Sequence, residues 1–328
     1  MSVHEGTVVA MTANEAFPVR LEDIWLRREL IDREWSDRDI ARCVKAGLIS
    51  RVRFGAYVDS ALWSAASDLH RYRVRSRAVL RTAHESSVLT HQSALAEWDV
   101  PMWRIDLTEV ALTRTDEKAG RRESLIVHHS GRLPLEHITL RHGVPVATAA
   151  RTAVEILSVV DLELGLVILN GLLNLRRTTP EEVARLARQT EHWPETLNTR
   201  VALSLADSRL QSVAETRFVY LCYRQGLPRP EPQVEVLDES GFLIGVVDFL
   251  WRKHGVFLEF DGRIKYEIYR RPGETLADYL MREKRREERI CQATGWVCIR
   301  IGWADLENPT ATARRILKLL ASRGAPAA

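Results

Sequence analysis

Apolar positions recur at three and four residues over several stretches of this chain and at every second residue over others. The alternation between the two periods lays out the elements. Leu21 to Ile31 has helical spacing. Ser36 is placed to cap a second helix, with Asp37 and Asp39 in its first turn, where the helix dipole favours acids. Ile40, Val44 and Leu48 follow at roughly helical intervals, and Gly47 ends the run. The segment LISRVRFGAYV then reads as a hairpin, with strand formers Ile49, Val52 and Tyr57 and a turn at Gly55. Residues 86–150 are β-rich: RIDLTEVALT and ESLIVHHS alternate like strands on either side of the polar turn TDEKAGR. From Thr148 to Arg200 the period becomes helical, and Ala153, Ile156, Leu157 and Val160 fall on one stripe. The loop EHWPETLN, 191–198, marks a domain boundary.

The last third repeats this logic with sharper signals. A helix is expected over 205–226, stopped by Gly226 and followed by the extended link LPRPEP. Three strands come next, QVEVL, FLIGVVDFLW and VFLEF, joined by the turns DESG and RKHG. A four-residue second turn pairs Trp251 with Val256, and the antiparallel count then sets Asp248 opposite Glu259. A one-residue slip would separate them. A helix over Leu276 to Ala293 puts Leu276, Leu280 and Ile290 on one stripe with Glu283 and Glu287, and Lys284 beside it. A strand WVCIRI, 296–301, and a closing helix over 310–322 complete an α/β sandwich with a mixed sheet.

Composition narrows the class. The 328 residues predict about two domains, or three, at ~150 residues each. Hydrophobic residues at 45% and charged residues at 28% exclude a wholly disordered chain, a collagen and a disulfide miniprotein. The net charge of +3 names no partner; only the distribution of charge can. Cys43, Cys222, Cys291 and Cys298 form no CxxC pair, which argues against a zinc ribbon and for thiols in a reducing compartment. Nucleotide-loop, zincin and nucleophile-elbow motifs are absent. The start carries no signal-peptide pattern, and Ala153 to Leu175 is too polar to span a bilayer. A soluble, cytoplasmic protein without a membrane partner is expected, with a poorly ordered 1–18.

Two regions carry candidate chemistry. Helix, turn, basic helix and basic hairpin is the order of a winged helix-turn-helix. Arg38, Arg42 and Lys45 share a helix face, and Arg51 and Arg53 sit on the hairpin, so double-stranded DNA is the expected partner. The same three helix residues also fit an ordinary wet face. Arg71, Arg73, Arg75 and Arg77 alternate in HRYRVRSR; they suit either a phosphate backbone or a solvated face. His84, His91, His128, His129, His137 and His142 lack metal-ligand spacing and read as structural or surface residues. In the last third, Glu215 has Phe218, Val219 and Cys222 at i+3, i+4 and i+7, so it projects to the buried side and needs a partner. Asp248 opposite Glu259, with Asp261 on the same face, gathers carboxylates that repel unless a cation lies between them. A divalent metal resolves the repulsion; so does an exposed sheet face with Lys or Arg partners.

At these residues the sequence resembles known patterns. Glu215, VVDF at 246–249, LEFDG at 258–262 and GWVCIRI at 295–301 resemble the Vsr-like branch of the PD-(D/E)XK endonuclease superfamily, over about 205–322. GLISRVRFGAYV, THQSALAEWDV at 90–100 and ARTAVEIL at 150–157 resemble actinobacterial proteins with an AbiEi-type antitoxin N-terminal domain. DGRIKY, which Asp261 leads, and EKRRE at 283–287 are similar to the C-terminal motifs of such fusions. The resemblance implies a winged-helix DNA-binding domain over 19–62, an AbiEi-like middle domain over 63–200 and a nuclease-like domain over 205–322. It implies Mg²⁺ or Mn²⁺ on Asp248 and Glu259, with Glu215 as an outer ligand, acting on a phosphodiester. Asp261 stands where the superfamily has a lysine, so Lys265 or Lys284 would have to supply that charge, with Glu283 and Glu287 in support. Three readings follow: a metal-dependent DNA endonuclease; a transcriptional regulator or antitoxin of a type IV toxin–antitoxin-like system, its nuclease fold silent; or a domain that docks a toxin protein.

Overall fold

The computed structural model describes residues 23–118, 122–190, 193, 196–261 and 273–324. It is mixed α/β, with three separate sheets. The chain divides into two units. One holds the described residues up to Ile168 together with Leu175–Leu203; the other holds Leu169–Asn174 and the described residues from Ser204 onward.

The first unit begins with β1 (Trp25–Leu26), α1 (Arg27–Asp32) and α2 (Asp37–Lys45), then the hairpin β2 (Ile49–Arg53) and β3 (Ala56–Asp59). Leu21 to Ile31 is therefore not one helix. Trp25 and Leu26 pair with Tyr57 and Ala56 in the sheet β1-β3-β2, and the Glu29 carboxylate accepts the Leu26 N–H at 3.0 Å, which fixes the helix start. Ser36 caps α2 as its sequence predicts, in a reciprocal box with Asp39. Ile40 is buried with Leu30, Ile49 and Tyr57, whereas Val44 and Leu48 are exposed. The hairpin turns on Gly55 at φ 72°, in the left-handed region glycine enters without strain.

Next come α3 (Ser60–Ala65), α4 (Asp68–Leu80), β4 (Ser87–Leu89), α5 (His91–Glu97), β5 (Val110–Arg114), β6 (Arg122–Glu123), β7 (Ile126–His129), β8 (Ile138–Arg141) and β9 (Val144–Ala147). The six strands form one mixed sheet in the order β6-β7-β5-β4-β9-β8. The helices α6 (Ala149–Leu157), α7 (Leu162–Asn174), α8 (Pro180–Gln189) and α9 (Thr196–Leu205) follow, as the change of period predicts.

Arg73 and Arg77 of α4 are buried, which fits neither a phosphate track nor a solvated face; Arg71 remains partly exposed beside Asp68. Arg77 is 1% exposed and bonds Glu97 at 2.9 and 3.0 Å. Arg73 donates to the Ala96 carbonyl and to Asp99, and Arg75 to the Leu107 carbonyl. Burial pushes the Glu97 pKa up, but His142 and Arg77 together outweigh it, so this carboxyl stays below its ordinary range.

The second unit contains α10 (Val213–Gln225), β10 (Glu231–Leu237), β11 (Leu243–Trp251), β12 (Val256–Asp261), α11 (Leu276–Thr294), β13 (Val297–Gly302), α12 (Trp303–Leu306) and α13 (Pro309–Arg323). Its sheet runs β10-β11-β12-β13, antiparallel except for the parallel pair β12–β13. The helix expected from 205 starts only at Val213, because Ser212 caps it there. Gly255, at φ 57°, closes the four-residue turn that sets the β11–β12 register. On α11 the buried residues are Tyr279 and Ile290; Leu276 and Leu280 are about half exposed, which corrects the expected stripe.

Candidate functional site

The expected register holds: Trp251 pairs with Val256, Leu250 with Phe257 and Phe249 with Leu258. The ladder ends there. Asp248 is the next residue, and its Oδ2 accepts the backbone N–H of Phe260 at 2.8 Å. Side-chain alternation also breaks at this point. Phe249 packs on Phe218 of α10, while Val247 belongs to the cluster around Ile290 of α11. β11 thus leaves β12 at Asp248, and a buried carboxylate takes over a backbone donor that the ladder would have used.

The neighbouring strands set polar residues on either side of Asp248. On one side Pro232 pairs with Phe249 and Val234 with Val247, which sets Gln233 opposite Asp248. On the other, the β11–β12 ladder stops one pair short of the expected Asp248–Glu259 match, and Glu259 pairs with Arg300 of β13. Gln233 has φ 51°, a left-handed conformation uncommon for a side-chain-bearing residue. Its Nε2 donates to Glu215 Oε2 at 2.9 Å. Glu215 also accepts from the Gln211 N–H at 2.9 Å and the Ser212 hydroxyl at 2.8 Å. Its position in the first turn of α10 gives it the helix dipole as well. The partner that a buried Glu215 requires is therefore present.

The acids of β12 meet arginines. Glu259, 5% exposed, accepts from Arg286 Nη2 at 3.0 Å. Arg286 also bonds Glu283 at 3.1 Å and the Val246 carbonyl at 3.1 Å. Burial opposes the charge on Arg286, but the fields of Glu259 and Glu283 outweigh it and raise its pKa. Asp261 is exposed and accepts from Arg300 at 2.8 Å, and Arg300 bonds Glu287 at 2.9 Å. Lys284 is exposed, 4.0 Å from Glu288. Lys265 lies outside the described residues.

The set Glu215, Asp248 and Glu259 is chemically suited to a hard divalent cation, being buried carboxylate oxygens. Among the described residues no three His, Cys, Asp or Glu side chains form a ready-made metal site. The positive charge beside Glu259 is a guanidinium.

In the first unit, Arg38, Arg42, Lys45 and Arg51 are exposed, and Arg42 is tied to Asp39 at 2.7 Å. Arg53 is half-buried and donates to Thr82 at 3.0 Å. Phe54, at the hairpin tip, is 88% exposed. Three of the histidines have structural partners: His91 stacks on His129 at 3.5 Å beside the buried pair Arg151–Glu155, and His142 bonds Glu97. Burial, aided by His91, pushes the His129 pKa down to about 4.

The sequence reading missed Gln233 and Arg286. A four-residue DESG turn would set Gln233 opposite Val246; a register shift between Val236 and Leu237 moves it opposite Asp248, and the hairpin count does not contain that shift. Arg286 has no local signal either, because its partner Glu259 lies 27 residues away. No family model matches the chain, and no curated protein matches it. No helix among the described residues is long and apolar enough to cross a membrane.

Proposed function

We propose that this chain is a DNA-binding protein whose C-terminal unit is an endonuclease-like domain of the PD-(D/E)XK type. One observation carries the reading. Asp248 and Glu259 are both buried just past the last pair of the β11–β12 ladder, where two central strands part, and Gln233 of the next strand bonds Glu215. Buried acids at a strand fork are costly to a structural sheet and useful to phosphodiester hydrolysis. Asp248 and Glu259 would hold Mg²⁺ or Mn²⁺, which when bound polarises a phosphodiester and activates water. The chain's own residues prepare for it. The Phe260 N–H holds the Asp248 carboxylate in place, Gln233 and Ser212 orient Glu215, and Arg286 balances the charge of Glu259. The N-terminal order of helices and hairpin suits a winged helix-turn-helix, with Arg38, Arg42, Lys45, Arg51 and Arg53 toward phosphates.

The arginine pairing favours a second reading. With Glu259 on Arg286 and Asp261 on Arg300, the fold would bind DNA without cutting it, as a regulator or antitoxin of a type IV toxin–antitoxin-like system. The deciding experiment is plasmid cleavage by the full chain with Mg²⁺ or Mn²⁺, beside Asp248→Ala and an EDTA control. Nicking that needs both metal and Asp248 supports the nuclease. Intact plasmid with a salt-sensitive gel shift supports the regulator. Intact plasmid with no shift at any salt overturns both.

A further inference from the structure

The first unit contains a cavity of about 570 Å³, a size typical of small-molecule sites. It lies where β2, the end of α4 and the strands β4, β5 and β7 meet. Its floor is apolar, made by Val79, Leu112 and Ile126, each no more than 6% exposed. Among the described residues its ionisable lining is basic: Arg53, Arg114, Lys118, His84 and His128, with no carboxylate. Arg114 is steadied by Asp116, which does not line the cavity. Ser87 lines it too, is 2% exposed, and its hydroxyl has no hydrogen-bond partner among the described residues. A buried hydroxyl without a partner is destabilising unless something supplies one. A cavity with converging cations and an apolar floor recognises a ligand with an anionic head and an apolar body.

We propose that this cavity binds an organic phosphate of mononucleotide size, its phosphoryl group on Arg114, Lys118 and Ser87 and its body on Val79, Leu112 and Ile126. Guanidinium and ammonium donors form their strongest hydrogen bonds to such oxyanions. The volume accommodates a nucleoside monophosphate. The phosphoryl group has two possible sources, a free nucleotide and the 5′-phosphate end of a DNA strand. The site belongs to the first unit and uses none of the C-terminal acids, so its fate is separate from that of the nuclease reading.

The test is calorimetric titration of the full chain with adenosine 5′-monophosphate, ribose 5-phosphate and adenosine. Beside it, fluorescence anisotropy compares one DNA duplex carrying a 5′-phosphate with the same duplex carrying a 5′-hydroxyl. Adenosine 5′-monophosphate is expected to bind, and adenosine at least about tenfold more weakly, since the charge-assisted bonds are lost. Lys118→Gln, at an exposed position, and Ser87→Ala are expected to weaken binding with no fall in Tm. Preference for the 5′-phosphorylated duplex without nucleotide binding would support the same phosphoryl chemistry, with the strand end as its source. Equal binding of adenosine and its monophosphate would overturn the proposal. So would full affinity in both variants, or no response to any phosphate probe.

Discussion

Arg77 and Glu97 show how far a single residue's role can lie from its sequence neighbourhood. In HRYRVRSR nothing marks Arg77 as buried, because the acid that neutralises it is 20 residues on. Short-range pattern reads turns and caps well, as at Ser36 and Gly55; it does not read ion pairs closed by tertiary folding. Removing one partner of a buried pair leaves the other charge stranded. Glu97→Gln is therefore expected to lower unfolding stability by about 3–5 kcal/mol in urea titration, far more than a surface substitution would. His129 predicts a pH effect. Its folded pKa, about 4, lies below its ordinary value of 6.5, so the unfolded chain binds more protons between those limits. Its stabilising contribution is full above pH 6.5 and is lost as pH falls toward 4. The Tm should decline across that window, and decline less in His129→Gln.

At the scale of elements, the β11–β12 hairpin was the most legible part of the molecule. Alternation and one four-residue turn determined its register, and Phe249 does pair with Leu258. The departure at Asp248 was not legible, because it depends on Phe218 and Ile290 drawing Phe249 and Val247, which regular alternation would put on one face, to opposite faces. Beside Glu259 the sequence led to a divalent metal or to an exposed face with Lys or Arg; Glu259 is buried, and an arginine stands beside it, supplied by a helix the strand pattern does not describe. Arg286 can be tested through its substitution. Arg286→Gln should leave Glu259 buried without its cation and lower the Tm. On the nuclease reading, Mn²⁺ should restore the Tm in Arg286→Gln more than it raises that of the parent protein. Equal shifts in the two proteins would argue against a metal at Glu259.

For the whole molecule, a net charge of +3 means that any DNA affinity must come from local clusters. If α2 contacts phosphates, Arg38→Gln with Lys45→Gln should weaken binding to all sequences alike and flatten the log–log salt slope by about 2. A slope unchanged in gel shifts across salt would move the contact elsewhere. A different consequence follows from Leu169–Asn174, which packs with the unit otherwise formed from Ser204 onward. Buried Asn170 accepts the Asp207 N–H at 2.9 Å and donates to Thr216 at 3.3 Å, while Asn174 donates to the Ser208 carbonyl. The C-terminal unit is thus discontinuous in sequence, and a single cut cannot separate it from the segment Leu175–Leu203 of the other unit without losing part of it. A fragment beginning at Ser204 would leave Thr216 and the Asp207 amide without their partners, at about 1–3 kcal/mol each. Such a fragment should express poorly and be cleaved readily by protease, whereas one beginning before Leu169 should resist.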